Sequence, residues 1–245
     1  MKILVTGAKG QLGFDVLKQL DLLGLEAVGV DLPELDITDY SAVEECFEKV
    51  KPDAVIHCAA FTNVDLAETE REICGKVNAD GTLNIARCAK EYDAKLMYIS
   101  TDYVFDGKGD IPFEVDSPKA PCNYYGESKL AGENVVINGC SKYFIVRISW
   151  VFGVNGKNFV KTMLRLSEDR EKLTVVNDQI GSPTYTPDLA KLLCEMIQTE
   201  KYGVYHATNE GFCSWAEFAK EIMNVSGAST EIIPITSAEY KASVA

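Results

Sequence analysis

The first thirteen residues constrain the fold more than any other stretch. Lys2-Ile3-Leu4-Val5-Thr6 is a short apolar run, as expected of a strand covered on both faces of a parallel sheet. It stops at Gly7-Ala8-Lys9-Gly10-Gln11-Leu12-Gly13, a G-x-x-G-x-x-G spacing. Gly7 and Lys9 interrupt the run too early for a signal peptide. Leu12, Val16, Leu17 and Leu20 then fall on one helical side. Strand, glycine turn and helix in that order make a phosphate cradle. The glycines let backbone approach a pyrophosphate, and the helix N-terminus brings N–H groups and a positive dipole end. A dinucleotide at Gly7, Gly10 and Gly13 is expected.

Glu26–Val30 reads as the second strand, ended by Asp31. A carboxylate there binds the two adenosine ribose hydroxyls and repels a 2′-phosphate. No arginine follows, so Asp31 leans the cofactor towards NADH over NADPH. Asp36-Ile37-Thr38-Asp39 leads into a helix on which Ser41 and Glu44 are spaced as a capping box. Asp53–His57 is a third strand running into Cys58-Ala59-Ala60, where small residues leave room for a cofactor across the sheet edge. His57 sits within an apolar strand and reads as a core histidine. A long helical region follows, with Asn78 near its middle.

Lys95–Ser100 is a fourth strand that delivers Thr101 to its carboxyl end, where open α/β sheets bind ligands. Tyr124-Tyr125-Gly126-Glu127-Ser128-Lys129 reads as a helix start capped by Asn123. Tyr125 and Lys129 are four apart and share a face, whereas Tyr124 points elsewhere. An ammonium group beside a tyrosine lowers its pKa, and such a tyrosine can protonate a carbonyl oxygen while hydride arrives at carbon. The Thr101 hydroxyl can hold the same oxygen. Tyr-x-x-x-Lys alone is common. Threonine, tyrosine and lysine in this order, behind a dinucleotide loop, make a catalytic set.

The balance of the chain narrows the alternatives. A formal net charge of −13 over 245 residues argues against non-specific nucleic-acid binding, which needs a basic surface. No run is apolar and long enough to span a bilayer. The 8 cysteines form no C-x-x-C pair and only 2 histidines are present, so no metal site is expected. Scattered thiols suit a reducing cytosol.

Gly-x-x-Gly-x-x-Gly, Asp-Ile-Thr-Asp, Ala-Ala-Phe-Thr, Ser-Thr-Asp-Tyr-Val-Phe-Asp-Gly and Tyr-Gly-Glu-Ser-Lys occur in sequence. In that order they resemble the extended short-chain dehydrogenase/reductases and, more narrowly, the dTDP-4-dehydrorhamnose reductases. The resemblance covers nearly the whole chain. It implies NAD(P)H-dependent reduction of the 4-keto group of dTDP-4-dehydro-L-rhamnose to dTDP-L-rhamnose. Carried over residue by residue, it makes Thr101, Tyr125 and Lys129 catalytic, with Tyr125 and Lys129 also touching the cofactor. It places Gly10, Gln11 and Leu12 on the pyrophosphate and Asp36 and Ile37 beside the adenine. Ala59, Ala60, Phe61, Thr62 and Asn78 join the cofactor set. Thr101, Asp102 and Trp150 become substrate contacts. Tyr103 stands where related 4,6-dehydratases have glutamate, so dehydration should fail. A nucleotide-sugar epimerase, another nucleotide-sugar reductase, and a non-catalytic subunit resembling that of methionine adenosyltransferase share these motifs and stay open. A homodimer is also open.

Downstream, Phe144–Ile148 is a strand, Asn158 opens a helix, and Leu173–Val176 and Val204–Ala207 are short strands. Asn158, Lys161 and Arg165 suit either a diphosphate or a solvated face. Ser214-Trp215-Ala216-Glu217 is a capping box. The expected fold is α/β, a Rossmann-type doubly wound parallel sheet with a smaller C-terminal substrate-binding region. Its expected boundaries are 1–150 for the dinucleotide domain, receiving later segments near 173–207, and 151–245 for the substrate region. Relatives usually continue past 245, so a missing C-terminal segment is expected.

Overall fold

The structure is a computed structural model that describes residues 1–109 and 111–244; the expected end of the second region at 245 lies outside the described residues. The chain forms two compact units. The first comprises Met1–Ile148 and Pro187–Ala207, and the second Ser149–Thr186 and the residues from Thr208 onward.

The first unit is built on five strands in chain order: β1 (Lys2–Thr6), β2 (Glu26–Val30), β3 (Ala54–His57), β4 (Lys95–Thr101) and β5 (Tyr143–Ile148). A late strand, Gly203–His206, joins them. All pairings are parallel, in the order Gly203–His206, β5, β4, β3, β1, β2. Period-two alternation sends each strand's residues to opposite faces. Ile3, Val5, Ala54, Ile56, Met97, Ile99, Phe144 and Val146 join one core with Leu12, Val16 and Leu20 of helix α1 (Gln11–Leu22). Leu4, Val55, Leu96, Tyr98 and Ile145 join the other, with Val43 and Phe47 of helix α2 (Tyr40–Val50) and Ile85. Both faces are covered, which is why these strands read as unbroken apolar runs. Cutting fully buried Leu4 to alanine would cost roughly 2–5 kcal/mol.

Chain order reverses direction between β1 and β3, with β2 on one side and β4 and β5 on the other. That switch point is where open α/β sheets bind ligands, and the Gly7 turn and the Cys58–Ala60 segment both begin there. The α2 cap differs from expectation. Asp39, not Ser41, caps it, its carboxylate accepting the Ser41 N–H at 2.9 Å and the Ala42 N–H at 3.3 Å. An Asx cap at Asp39 leaves Ser41 inside the first turn.

In the second unit, Lys172–Val176 pairs in parallel with Glu231–Ile235, and Val151–Phe152 with Thr184–Tyr185. Ile180–Gly181 pairs antiparallel with Cys213–Ser214. Of the late segments expected in the first unit, Pro187–Ala207 lies there. Lys172–Val176 instead lies in the second, because its partner strand is Glu231–Ile235. The helix Trp215–Ser226 opens with the expected capping box and ends at Gly227 in the left-handed conformation. Its Ala216, Ala219, Ile222 and Met223 pack with Met163, Leu173, Val175 and Ile232.

Candidate active site

At the β1 end, Gly7 takes φ +65°, and a Cβ there would come within 2.6 Å of the Ala59 backbone nitrogen. At Gly13 a Cβ would come within 2.8 Å of the Gly7 carbonyl carbon. Turn and helix therefore close on each other as backbone against backbone. Gly10 is the N-cap of α1, so no capping side chain covers that helix end. Leu12 is buried in the core, and Gln11 lies on the first turn. These residues fit a dinucleotide pyrophosphate: a tight loop, a helix N-terminus capped by glycine, and small Ala59 and Ala60 at the neighbouring strand end.

Asp31 turns its carboxylate towards the same loop. Oδ2 accepts the Lys9 N–H at 2.9 Å and Oδ1 the Leu32 N–H at 2.8 Å. Lys9 Nζ reaches the Leu32 carbonyl at 3.0 Å and Glu34 at 2.7 and 2.8 Å. The absence of an arginine after Asp31 thus missed a cation that the loop itself brings round. Asp36 accepts the Thr38 N–H and hydroxyl at 2.9 and 2.8 Å. Ile37 is a core side chain whose carbonyl accepts Asn84 Nδ2 at 3.0 Å.

His57 is a core residue, as its apolar strand suggested. Its Nδ1 lies 2.6 Å from Thr6 Oγ1 and its Nε2 3.2 Å from Thr82 Oγ1. Thr82 Oγ1 donates to the Asn78 carbonyl at 2.8 Å, so it accepts from His57 and Nε2 carries the proton. Burial first, and the Lys129 charge second, pull this imidazole down to about 3, so it stays neutral. Asn78 sits in a π-helical turn, Lys76–Gly81, and is 1% exposed. Its Oδ1 accepts the Phe61 N–H at 2.8 Å, and its Nδ2 donates to the Phe61 carbonyl at 3.0 Å and to Ser128 Oγ at 2.9 Å. Asn78 thus bears on a cofactor through Phe61 rather than through a free amide. Phe61 packs with Ala67, Cys74 and Tyr125, while Thr62 is exposed.

The helix Tyr124–Gly139 is capped by Asn123, whose Oδ1 accepts the Gly126 N–H at 2.8 Å. Tyr125 and Lys129 are both buried on it, whereas Tyr124 lies under the Arg71 guanidinium at 5.0 Å. Thr101 closes β4, 5% exposed, its hydroxyl donating to Asp102 Oδ1 at 3.0 Å. Tyr103 meets the Tyr125 ring edge-on at 5.6 Å. Burial pushes Asp102 up to about 6, against the hydrogen bonds from Thr101 and the backbone.

The expected lowering of the Tyr125 pKa by Lys129 is not what the geometry gives. Burial raises the Tyr125 phenol well above its ordinary value, the Thr101 hydrogen bond opposing and Asp102 adding to the rise. Burial in turn pulls Lys129 down to about 7, and its ammonium lies over the Tyr98 ring at 4.0 Å. Desolvation dominates both shifts because both groups are removed from water.

Comparison with known proteins adds the family. The model of the RmlD substrate binding domain matches residues 1–245. A dTDP-4-dehydrorhamnose reductase of Aggregatibacter actinomycetemcomitans is 40% identical over 98% of this chain and 86% of its own length. The spore coat polysaccharide biosynthesis protein SpsK of Bacillus subtilis is 43% identical over 98% and 84%. The crystal structure of a dTDP-4-dehydrorhamnose reductase from Bacillus anthracis in complex with NADP superposes with a TM-score of 0.95. It is 44% identical, covering 98% of this chain and 86% of that one. The chain belongs to the dTDP-4-dehydrorhamnose reductase family. Membership makes it an NAD(P)-dependent oxidoreductase on a Rossmann-like sheet.

In this dTDP-4-dehydrorhamnose reductase family member, Thr101, Asp102, Tyr125 and Lys129 all belong to the first unit and Trp150 to the second. Trp150 holds φ +47°, and its indole stacks on Trp215 at 3.5 Å and 12°. A Cβ on Gly181 would come within 2.9 Å of the Trp150 Nε1, so the indole is confined on that side too. Asn158 caps the helix Phe159–Ser167, and Lys161 Nζ donates to the Gly156 carbonyl at 2.9 Å, which makes both local fasteners. Among the described residues no group of three His, Cys, Asp or Glu could hold a metal ion, and no helix is long and apolar enough to cross a membrane. Sequence reasoning missed Ser100, Glu133 and Arg147, which meet beside Lys129. The four-residue step from Tyr125 to Lys129 continues to Glu133, and that spacing was the available signal.

Proposed function

We propose that this chain reduces the 4-keto group of dTDP-4-dehydro-L-rhamnose to dTDP-L-rhamnose with NADH or NADPH. The observation that carries the reading is Thr101 buried at the carboxyl end of β4, with Tyr125 and Lys129 buried one turn apart on the helix Tyr124–Gly139. When bound, the cofactor supplies a hydride from its nicotinamide. Thr101 and Tyr125 hold the carbonyl oxygen, and Tyr125 gives it a proton as negative charge develops there. A phenol whose pKa burial has raised keeps its proton at neutral pH, so it begins each turnover as an acid. Lys129 stabilises the phenolate left behind and donates to the nicotinamide ribose. Gly7, Gly10, Gln11, Leu12 and Gly13 hold the pyrophosphate, and Asp31 the adenosine ribose. Asp36 and the Ile37 backbone face the adenine, and Ala59, Ala60, Phe61 and Thr62 the nicotinamide half. Asp102 and Trp150 contact the sugar nucleotide. The Lys9 ammonium, which reaches the Leu32 carbonyl just after Asp31, supports use of NADPH as well as NADH.

All eight cysteines are free thiols, which supports work in a reducing cytosol. The net charge of −13 supports a small-molecule substrate rather than nucleic acid. Sedimentation of the purified chain tests the homodimer. Incubation with dTDP-4-dehydro-L-rhamnose and NADH tests the activity. Loss of reduced-nicotinamide absorbance with formation of dTDP-L-rhamnose is expected. Turnover without net oxidation of the cofactor would establish an epimerase instead.

A further inference from the structure

Glu133 stands one turn beyond Lys129 and two beyond Tyr125 on the same helix. Its side chain and that of Arg147 are each 1% exposed. Arg147 Nε donates to Glu133 Oε1 and Nη2 to Oε2, both at 2.8 Å, a bidentate pair. Ser100 Oγ donates to Oε1 at 2.6 Å. Arg147 Nη1 donates to the Val115 carbonyl at 2.9 Å. Its guanidinium carbon lies 5.1 Å from the centre of the Phe105 ring, which stacks on Phe113 at 4.5 Å.

The placement of these partners is specific. Ser100 immediately precedes Thr101, and the β4–β5 ladder sets Ser100 opposite Arg147 and Thr101 opposite Ile148. One carboxylate therefore joins the helix bearing Tyr125 and Lys129 to the strand bearing Thr101. Arg147 extends the link to the 113–115 segment. Stability alone does not call for such a pair, since two buried charges are costly to desolvate and apolar side chains of similar volume serve as well.

We propose that Glu133 and Arg147 are positioning residues of the reductase, fixing Tyr125 against Thr101 and setting a counter-charge beside the Lys129 ammonium. The proposal rests on the roles given to Tyr125 and Lys129 above. Several groups bear on Lys129: Glu133 on its own helix, Cys58 beyond β3, Cys74 from the Arg71–Gly75 helix, His57 of β3 and the Tyr98 ring of β4. Burial pushes the Cys58 thiol up to about 12 and pulls His57 down to about 3, so both stay neutral. Glu133 is the carboxylate among them.

Three variants test this on the intact chain: Glu133→Gln, Glu133→Gln with Arg147→Met, and Ser100→Ala. Each is checked for folding by melting and assayed for kcat, KM and the pH–rate profile. In folded Glu133→Gln the alkaline limb moves to lower pH by about one unit, because Lys129 loses its counter-charge and deprotonates earlier. Its kcat falls about tenfold or more as Tyr125 loosens against Thr101, while the sugar KM stays within about threefold. The double variant leaves no unpaired charge and shows the same two changes. Ser100→Ala keeps the ion pair, so it lowers kcat several-fold and leaves the limb in place. The parental kcat and limb in Glu133→Gln overturn the proposal. Should Glu133→Gln not fold, the double variant decides in the same terms. Should neither fold, parental kcat in Ser100→Ala overturns it. Tyr125→Phe is assayed alongside, and full activity there overturns the assignment of Tyr125 itself, whatever Glu133 does.

Discussion

In the first unit the buried polar side chains include Asp15, His57, Asn78, Asn84, Lys129, Glu133 and Arg147. In the second, those described as buried are all hydroxyls: Ser149, Ser182, Thr184, Thr186, Ser214 and Thr230. The second unit instead gathers aromatic rings, with Trp150, Trp215, Phe159, Phe218, Phe152 and Tyr185 in mutual contact. A hydroxyl costs little to bury once it has a partner, whereas an ammonium, a carboxylate or an imidazole demands a built network. Such networks hold His57, Asn78, Glu133 and Arg147 in the first unit, and among the described residues no buried side-chain nitrogen or oxygen lacks a hydrogen-bond partner. The difference suits the two units to different tasks under the proposed function. Charge held out of water suits proton and hydride transfer. Rigid aromatic surface suits contact with a flat or cyclic ligand.

The sharpest way to break this contrast is Tyr125→Phe, which removes a phenolic proton and keeps the ring against Phe61 and Cys74. Its kcat should fall about 10²–10⁴-fold while cofactor affinity, measured by titration, holds. Parental turnover would mean that the first unit's buried charges serve packing alone.

Lys129→Met comes next. Activity should fall roughly tenfold or more, and cofactor should bind more weakly as a ribose donor is lost. Stability should move the other way. The parent's Lys129 has a folded pKa of about 7, against an ordinary value of 10.5. Between those values the unfolded chain binds more protons, so this group makes parental stability rise with pH. Below about pH 7 its cost is fully present. Methionine abolishes that cost, so the variant's stability advantage should be greatest near neutrality and vanish towards pH 10.5. Urea unfolding of both chains across this range measures it, and an advantage independent of pH would contradict a buried ammonium.

Asp31→Ala should weaken NADH relative to NADPH by about tenfold, since a charge-assisted ribose contact goes and a repulsion towards phosphate goes with it. Paired dissociation constants decide this. An unchanged ratio would show that Asp31 serves only the Lys9 and Leu32 N–H groups that it already holds. The smallest effect is expected from Trp150→Phe. Losing the indole N–H but keeping a ring on Trp215 should raise the sugar-nucleotide KM about two- to tenfold, with kcat nearly unchanged. A fall in kcat with constant KM would move Trp150 from recognition to chemistry.

Much of the first unit was legible because its strands are buried on both faces and its turns carry glycine or Asn caps. The glycine spacing from Gly7 to Gly13, the Asn123 cap and the Tyr125–Lys129 spacing are each written within a few residues. The electrostatics were not legible. Spacing shows that Lys129 can approach Tyr125, but burial decides their pKa values, and burial is a property of the folded sheet. Lys9 on the Asp31 carboxylate and Arg147 against Glu133 also escaped, since a helix or strand separates each pair rather than one helix turn. In the second unit the pairing of Lys172–Val176 with Glu231–Ile235 spans a long stretch of sequence that no local pattern encodes.

The late strand Gly203–His206 closes the open side of β5. During synthesis β5 is complete at Ile148, yet its partner ends 58 residues later, at His206. A ribosome adding roughly 5–20 residues per second needs about 3–12 s for that interval. Throughout it, Phe144, Ile145 and Val146 lie on an unpaired parallel edge, the kind of surface that recruits other nascent chains. The nascent chain is therefore most vulnerable to aggregation after Thr101, Tyr125 and Lys129 have all been made and before its sheet can be finished.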